Sequence, residues 1–353
     1  MRIFAKEVFF SLAVAATLAV IGLAAGARER FANSSIETII PFSRGGGTDM
    51  FARYWMDEII AGLPGSPQVK FLNVVGGGST NGANRFRREA RRDGSMLLAV
   101  SASTVLPFLF ADRRVDYDLN DWQALLVEPT GGVVYASPQA VEAVGSIFRI
   151  KPGHKVRMQV QGATQLGMIA VLAMEILQND INVEFGSSGA KANFRSFRDG
   201  LIDVDMQTTR SFFSSVQALI DAGKAVPLFS FGQLNDFGQV VRDSSFPDIP
   251  TFEEYYLRLH GARPSGPSYE MYSKLFKAGF PVQKALVVPT STSPEVVTAY
   301  TRAIERASRK TAGANLMHGE NARSRFQETA GLFTDEDRDW YGKWVKDRFN
   351  IRL

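Results

Sequence analysis

Pro41-Phe42-Ser43-Arg44-Gly45-Gly46-Gly47-Thr48-Asp49 joins two segments of different character. Before it, residues 36–40 form an apolar run that predicts a buried strand. After it, Phe51, Tyr54, Trp55, Glu58 and Ile59 fall at helical spacing within 50–61. The glycines therefore sit where a strand turns into a helix. Such a turn leaves backbone N–H groups free at the positive end of the helix. Residues without a Cβ let a ligand approach that backbone closely. The expected guest is an anion: a carboxylate, a phosphate or a sulfate. Arg44, inside the turn, is placed to touch it directly or to face solvent.

The same device recurs. Residues 69–74 predict a second strand, Gly76-Gly77-Gly78-Ser79-Thr80 follows, and a helix runs through Ala83, Phe86 and Ala90. Two such turns in the first hundred residues suggest two lips of one anion site. A charge-assisted hydrogen bond contributes roughly 1.5–3 kcal/mol, and micromolar capture needs about 8 kcal/mol. A handful of amides suffices without a buried cation. Neither turn matches the G-x-G-x-x-G or G-x-x-x-x-G-K-[ST] nucleotide fingerprints. On this reading, valine at Gly46 or Gly77 abolishes binding and spares the fold.

The chain has 353 residues, room for two domains. Its formal net charge of +4 is too small to argue for nucleic acid. The basic run 85–92 is read as a solvated helix face. There is no cysteine, which excludes disulfides, thiolate metal sites and cysteine nucleophiles. The histidines, His154, His260 and His318, lie in no ligand spacing, so no metal is expected. Residues 1–27 read as a signal peptide: Arg2 and Lys6 precede an apolar stretch, and Ala25-Gly26-Ala27 suits a signal peptidase. The alternative is a retained membrane anchor.

Strand-like and helix-like segments alternate beyond that point. Strands are expected at 36–42, 69–74, 96–101, 133–136, 156–160, 181–185, 202–206, 225–231 and 284–288. Helices are expected at 166–177, 190–198, 211–222, after Ser293-Pro294, and at 335–349. This alternation predicts an α/β chain with parallel sheets covered by helices. Hinge candidates fall at 128–132 and 232–237, which would join two lobes around a ligand cleft.

Further motifs follow in order: Asn73-x-x-Gly76-Gly77-Gly78 with Gly82-Ala83, Asp93-Gly94 before Met96-Leu97-Leu98, and Tyr117-Asp118 with Asp121-Trp122. Pro247-Asp248-Ile249-Pro250-Thr251-Phe252-x-Glu254 and Pro289-x-x-Thr292-Ser293-Pro294 complete the set. Together with the first turn, these resemble the motifs of the substrate-binding proteins of tripartite tricarboxylate transporters, the TctC or Bug family. The resemblance runs over nearly the whole chain after residue 27.

It implies a two-lobed, type II-like periplasmic binding protein, each lobe a mainly parallel sheet flanked by helices, with the ligand between lobes. The expected division is 28–128 with 238–330 as lobe 1, 129–237 as lobe 2, and 331–353 as a C-terminal helix packing on both. It implies a monomeric, non-enzymatic protein without cofactor or nucleic-acid partner, which captures a small organic acid and delivers it to a membrane transporter with one large and one small subunit. Carried over, the carboxylate-holding amides are Gly45, Gly46, Gly47 and Thr48 with Gly77, Gly78 and Ser79. Asp49 is read as a helix cap. Ser101 and Ser103 are candidate hydroxyl donors.

The second lobe departs from the family pattern. Ser187-Ser188-Gly189 stands where an aromatic, a basic residue and glycine are usual, Gln207 where a strand ends in aspartate, and the loop 161–165 where the family is serine-rich. Thr164, Ser188 and Gln207 are therefore expected to read the far end of the ligand, and Gln207 to ease binding of a second carboxylate or a neutral polar tail. Two other functions stay open: a binding protein feeding a sensor kinase, and an exported α/β enzyme acting on an anionic small molecule, with Asp203 and Asp205 as its acid–base pair.

Overall fold

A computed structural model describes residues 31, 35–235, 237–311 and 316–353; the expected signal segment, 1–27, lies outside them. The large sheet grows from the first glycine turn. β1 (Ser35–Ile40) leads through that turn into α1 (Gly47–Gly62), and β2 (Gln68–Asn73) leads through the second into α2 (Thr80–Glu89). β3 (Met96–Ser101) is buried along its whole length and leads into α3 (Ala102–Leu109). β1 pairs in parallel with both β2 and β3, as Ile39 opposite Leu72 and Leu98 shows. Strands linked by crossover helices must run this way.

The rest of the sheet is antiparallel, a correction to the mainly parallel expectation. β4 (Trp122–Glu128), β14 (Lys284–Pro289) and the short β15 (Met317–His318) complete the order β15-β4-β14-β3-β1-β2. β14 runs against both β3 and β4. The chain leaves the sheet through β4 and re-enters it at Lys284 after crossing to the other lobe, so no crossover helix imposes a parallel direction.

Between those points lie β5 (Gly132–Ala136), the hairpin β6 (Val141–Val144) with β7 (Ile147–Ile150), and the parallel pair β8 (Val156–Val160) and β9 (Ile181–Phe185). β10 (Val204–Thr208) and β11 (Val226–Ser230) flank β5 antiparallel. Helices α4 (Met168–Ile176), α5 (Ala190–Arg198) and a helical run α6 (209–221), whose middle turn Phe212–Val216 is π-type, cover this lobe. Residues 129–131, within the first hinge candidate, link β4 to β5. The second hinge candidate, 232–237, falls in a small hairpin of β12 (Gln233–Leu234) with β13 (Val240–Val241). The return runs on through α7 (Phe252–His260) and α8 (Pro267–Gly279), neither expected from periodicity.

Trp55, Phe51, Tyr300 and Ile304 pack one face of the large sheet, where α1 meets α9 (Pro294–Lys310). The opposite face carries Phe86, Trp122 and α10 (Gly319–Ala330), and its apolar cluster continues through α3 and α8 into the second lobe at Val134, Val156 and Leu172. The last helix, α11 (Asp335–Phe349), clasps both sides. Its Arg338 donates to Leu109 O (2.7 Å), while Tyr341 donates to Ala163 O (2.6 Å) and Trp344 to Glu175 (2.6 Å).

Candidate anion-binding cleft

The two halves enclose a cavity of about 500 Å3, a volume suited to a small ligand. Arg44, Gly45, Gly46, Gly47 and Thr48 form one wall. Gly45 has φ +75°, a conformation that favours glycine, and it turns the chain into α1. Gly46 is the N-cap, and no side chain caps it. Asp49 reaches back instead: its carboxylate accepts from Gly45 N–H (2.9 Å), Arg53 Nε (3.0 Å) and Asn73 Nδ2 (2.8 Å). Burial raises its pKa, but the hydrogen bonds from Arg53, Asn73 and Gly45 outweigh burial and hold it below the ordinary value. Gly46 N–H is taken by Ser43 O (3.1 Å). The amides left for a guest are those of Gly47 and Thr48, at the first turn of the helix.

The second turn stands differently. Gly76, Gly77, Gly78 and Ser79 have φ of 115°, 61°, 67° and 103°. A Cβ on Gly78 would lie 2.6 Å from Gln165 Nε2, because the Gln165 amide covers this turn from the other lobe. Gln165 is 1% exposed, and neither its Nε2 nor its Oε1 has a hydrogen-bond partner. Ser79 Oγ donates to Ser103 O (2.9 Å). Gly77, Gly78 and Ser79 therefore lie outside the cavity wall. Thr164 does too: it donates to Asp112 Oδ2 (2.7 Å), which also holds Arg114 (2.5 Å). Burial raises the Asp112 carboxyl, yet hydrogen bonds from Arg114 and Thr164 bring it down to about 2.

Ser101 and Ser103 reach the cavity, and Ser101 Oγ also caps α3 by accepting Ser103 N–H (3.2 Å). From the second lobe come Ser188 and Gln207, with the N-terminus of α5 at Ala190 and Lys191. The Gln207 amide is already engaged, donating to Ala190 O (2.8 Å) and Asp205 Oδ2 (3.0 Å). Thus Asp205, one alternation earlier on β10, supplies an acid behind the wall. Neither Asp203 nor Asp205 lines the cavity; Asp203 is held by Arg157 (2.8 Å).

Asp205 is fully enclosed, and burial pushes its carboxyl up to about 6 against the hydrogen bonds from Tyr135 (2.5 Å) and Gln207. A carboxyl raised in the folded state favours folding below its unfolded pKa of 3.8 and loses that contribution as pH rises through 6. The stability difference between wild type and Asp205→Asn is therefore expected to fall by about 2 kcal/mol from pH 4 to pH 7. Urea unfolding at both pH values reads it; a pH-independent difference refutes the buried, titrating acid.

Sequence reading missed several wall residues. Ser211, Ser214 and Ser215 line the cavity from α6. Their i, i+3, i+4 spacing, opposite the apolar Phe212, Val216 and Leu219, was the available signal. Lys284 lines the floor, and its Nζ donates to Thr48 Oγ1 (2.9 Å). Its signal was a lone cation opening the apolar strand 284–288. The full set of charged wall residues is Arg44, Lys191, Arg195, Arg198 and Lys284; no aspartate or glutamate lines the cavity among the described residues.

Two α/β lobes around an anion-suited cleft define the fold of the periplasmic solute-binding proteins. The chain's solved likenesses share it. Periplasmic binding protein BugD is 15% identical, with a TM-score of 0.60 over 90% of this chain and 98% of its own. MatC from Rhodopseudomonas palustris, solved with bound malate, is 16% identical, with a TM-score of 0.58 over 88% of this chain and 99% of its own. A TctC solute-binding protein from Polaromonas is 16% identical, with a TM-score of 0.54 over 89% of this chain and 98% of its own. The TctC/Bug resemblance noted in the motifs is thus met in the fold. No protein-family model and no curated protein sequence matches the chain.

Proposed function

We propose that this chain is a TctC/Bug-type periplasmic solute-binding protein that captures a small organic carboxylate and hands it to the large and small membrane subunits of a tripartite transporter. The observation that carries this reading is the cavity wall: free amides at the start of α1, cations from both lobes and, among the described residues, no carboxylate. Lone glycine turns suit many folds, but a cleft that receives cations from both lobes suits a molecule that is negative at both ends. A dicarboxylate fits that charge pattern. MatC with malate and an R. palustris protein solved with adipate share the fold, which supports the ligand class.

The lobes of this reading are 28–128 with 238–330 and 129–237, closing on the ligand, with 331–353 packed across them. The chain acts as a monomer in the periplasm, exported by its first 27 residues, and turns over no substrate. Neither cofactor nor nucleic acid has a part in it. A thermal-shift panel of mono-, di- and tricarboxylates tests it. Ligand at a thousand times its Kd stabilises by about 4 kcal/mol, so at least one dicarboxylate is expected to raise the melting temperature by several degrees. No shift with any acid would sink the proposal.

A further inference from the structure

Lys284 occupies an unusual place. It opens β14, between Ser101 of β3 and Glu128 of β4 in register, and its side chain enters the cavity floor under the start of α1. Among the described residues its side chain makes one hydrogen bond, to Thr48 Oγ1 (2.9 Å). No carboxylate of the described residues lies within ion-pair distance of it. Glu128, the acid across the strand, is shared out: Oε2 accepts from Trp55 Nε1 (3.2 Å) and Oε1 from Arg210 (3.0 Å).

The other charges around Lys284 are arranged against an ammonium. Arg210, at the start of α6, repels it. The positive end of α1 lies beside it, and Asp49 on that helix is turned away to Arg53 and Asn73. Arg44 lines the same cavity. Burial, opposed only in part by Glu128 and reinforced by Arg210, pushes its pKa down to about 7. A cation with spare donors, a depleted counter-charge and an opening onto an acid-free cavity lacks one thing, an anion.

Resting on the proposed function, we infer that Lys284 is the ligand-reading cation of this cleft: its Nζ pairs with the carboxylate held at the start of α1, and it takes up a proton from solvent as that carboxylate arrives. The ligand stays a carboxylate; the amine becomes an ammonium, and the pair is neutral. Capture then weakens as pH rises beyond neutrality, although the ligand's own charge no longer changes there.

Trace acetylation with acetic anhydride from pH 5 to 11, read for each lysine by mass spectrometry on the whole protein, tests this. Without ligand, Lys284 is expected to reach half-reactivity near neutrality, about three pH units below the exposed lysines. An acid that binds in the thermal-shift panel is expected to move that midpoint up by at least one unit and to slow labelling more than tenfold. Lys284→Met is expected to weaken that acid about ten- to hundredfold and remove the pH dependence between 6 and 9, while Lys284→Arg keeps capture but not the pH dependence. If an acid binds and the Lys284 midpoint stays in place, the inference is overturned and the proposed function stands. A Lys284 midpoint equal to that of the exposed lysines overturns it as well. If no acid binds, the proposed function falls and takes the pairing with it.

Discussion

Valine at Gly47 is expected to weaken carboxylate capture by two orders of magnitude or more while the chain keeps its fold. Gly47 opens α1, and its amide with that of Thr48 is free for a guest. A Cβ there meets only Ser211 Oγ, at 3.4 Å, an ordinary contact, and the backbone is not left-handed. The folded state therefore accepts the side chain, and valine is no worse a helix former than the glycine it replaces. The added methyls stand over the amides. Losing two charge-assisted contacts costs about 3–6 kcal/mol, or two to four decades in Kd. Calorimetric titration with an acid from the panel, beside a urea unfolding curve, separates the two effects. Full affinity in the variant would show that the ligand does not sit on this turn.

Gly77 is not the equivalent site that the sequence suggests. Its φ is +61°, and a Cβ would lie 2.2 Å from Thr80 Oγ1. Valine there strains the chain before it reaches any ligand, so the fold-sparing expectation fails at Gly77; at Gly46 a Cβ would lie 3.2 Å from Ser43 O, which makes Gly47 the position to vary in the first turn.

Asp49→Ala is expected to remove about 3 kcal/mol of stability and to abolish measurable capture. The carboxylate is 2% exposed and draws Gly45, Arg53 and Asn73 together. Asn73 also holds Phe42 O (2.8 Å), so one acid braces the turn from both sides. Deleting it strands a guanidinium, an amide and a backbone N–H, each poorly compensated. The guanidinium keeps partial solvent access and its place over the Phe71 ring (4.6 Å), which holds the loss below that of a fully buried pair. In contrast with Gly47→Val, affinity and stability fall together. An unchanged urea midpoint would sink the bracing role, and unchanged affinity would show that the turn keeps its shape without it.

Much of this was legible in the chain itself. Local patterns carry through when the forces behind them are local. The strand at 96–101, with every residue apolar or small, is buried throughout, and the helices 190–198 and 335–349 fall where periodicity put them. α7 and α8 lie on either side of the Pro- and Gly-rich stretch 261–267, which interrupts the helical pattern between them.

For the cleft, sequence alone determined the strand–glycine–helix turn at 41–49, because the free amides at a helix start follow from backbone geometry within a few residues. The absence of thiol chemistry followed from composition, which holds no cysteine. Tertiary structure decided which glycine turn faces the cavity, since Gln165, 87 residues beyond Gly78, lies across the second one. It also placed Lys284 beside Thr48, 236 residues apart. Which side chain covers an amide, and which cation loses its water, depends on packing between distant segments, and no local pattern of residues carries that information.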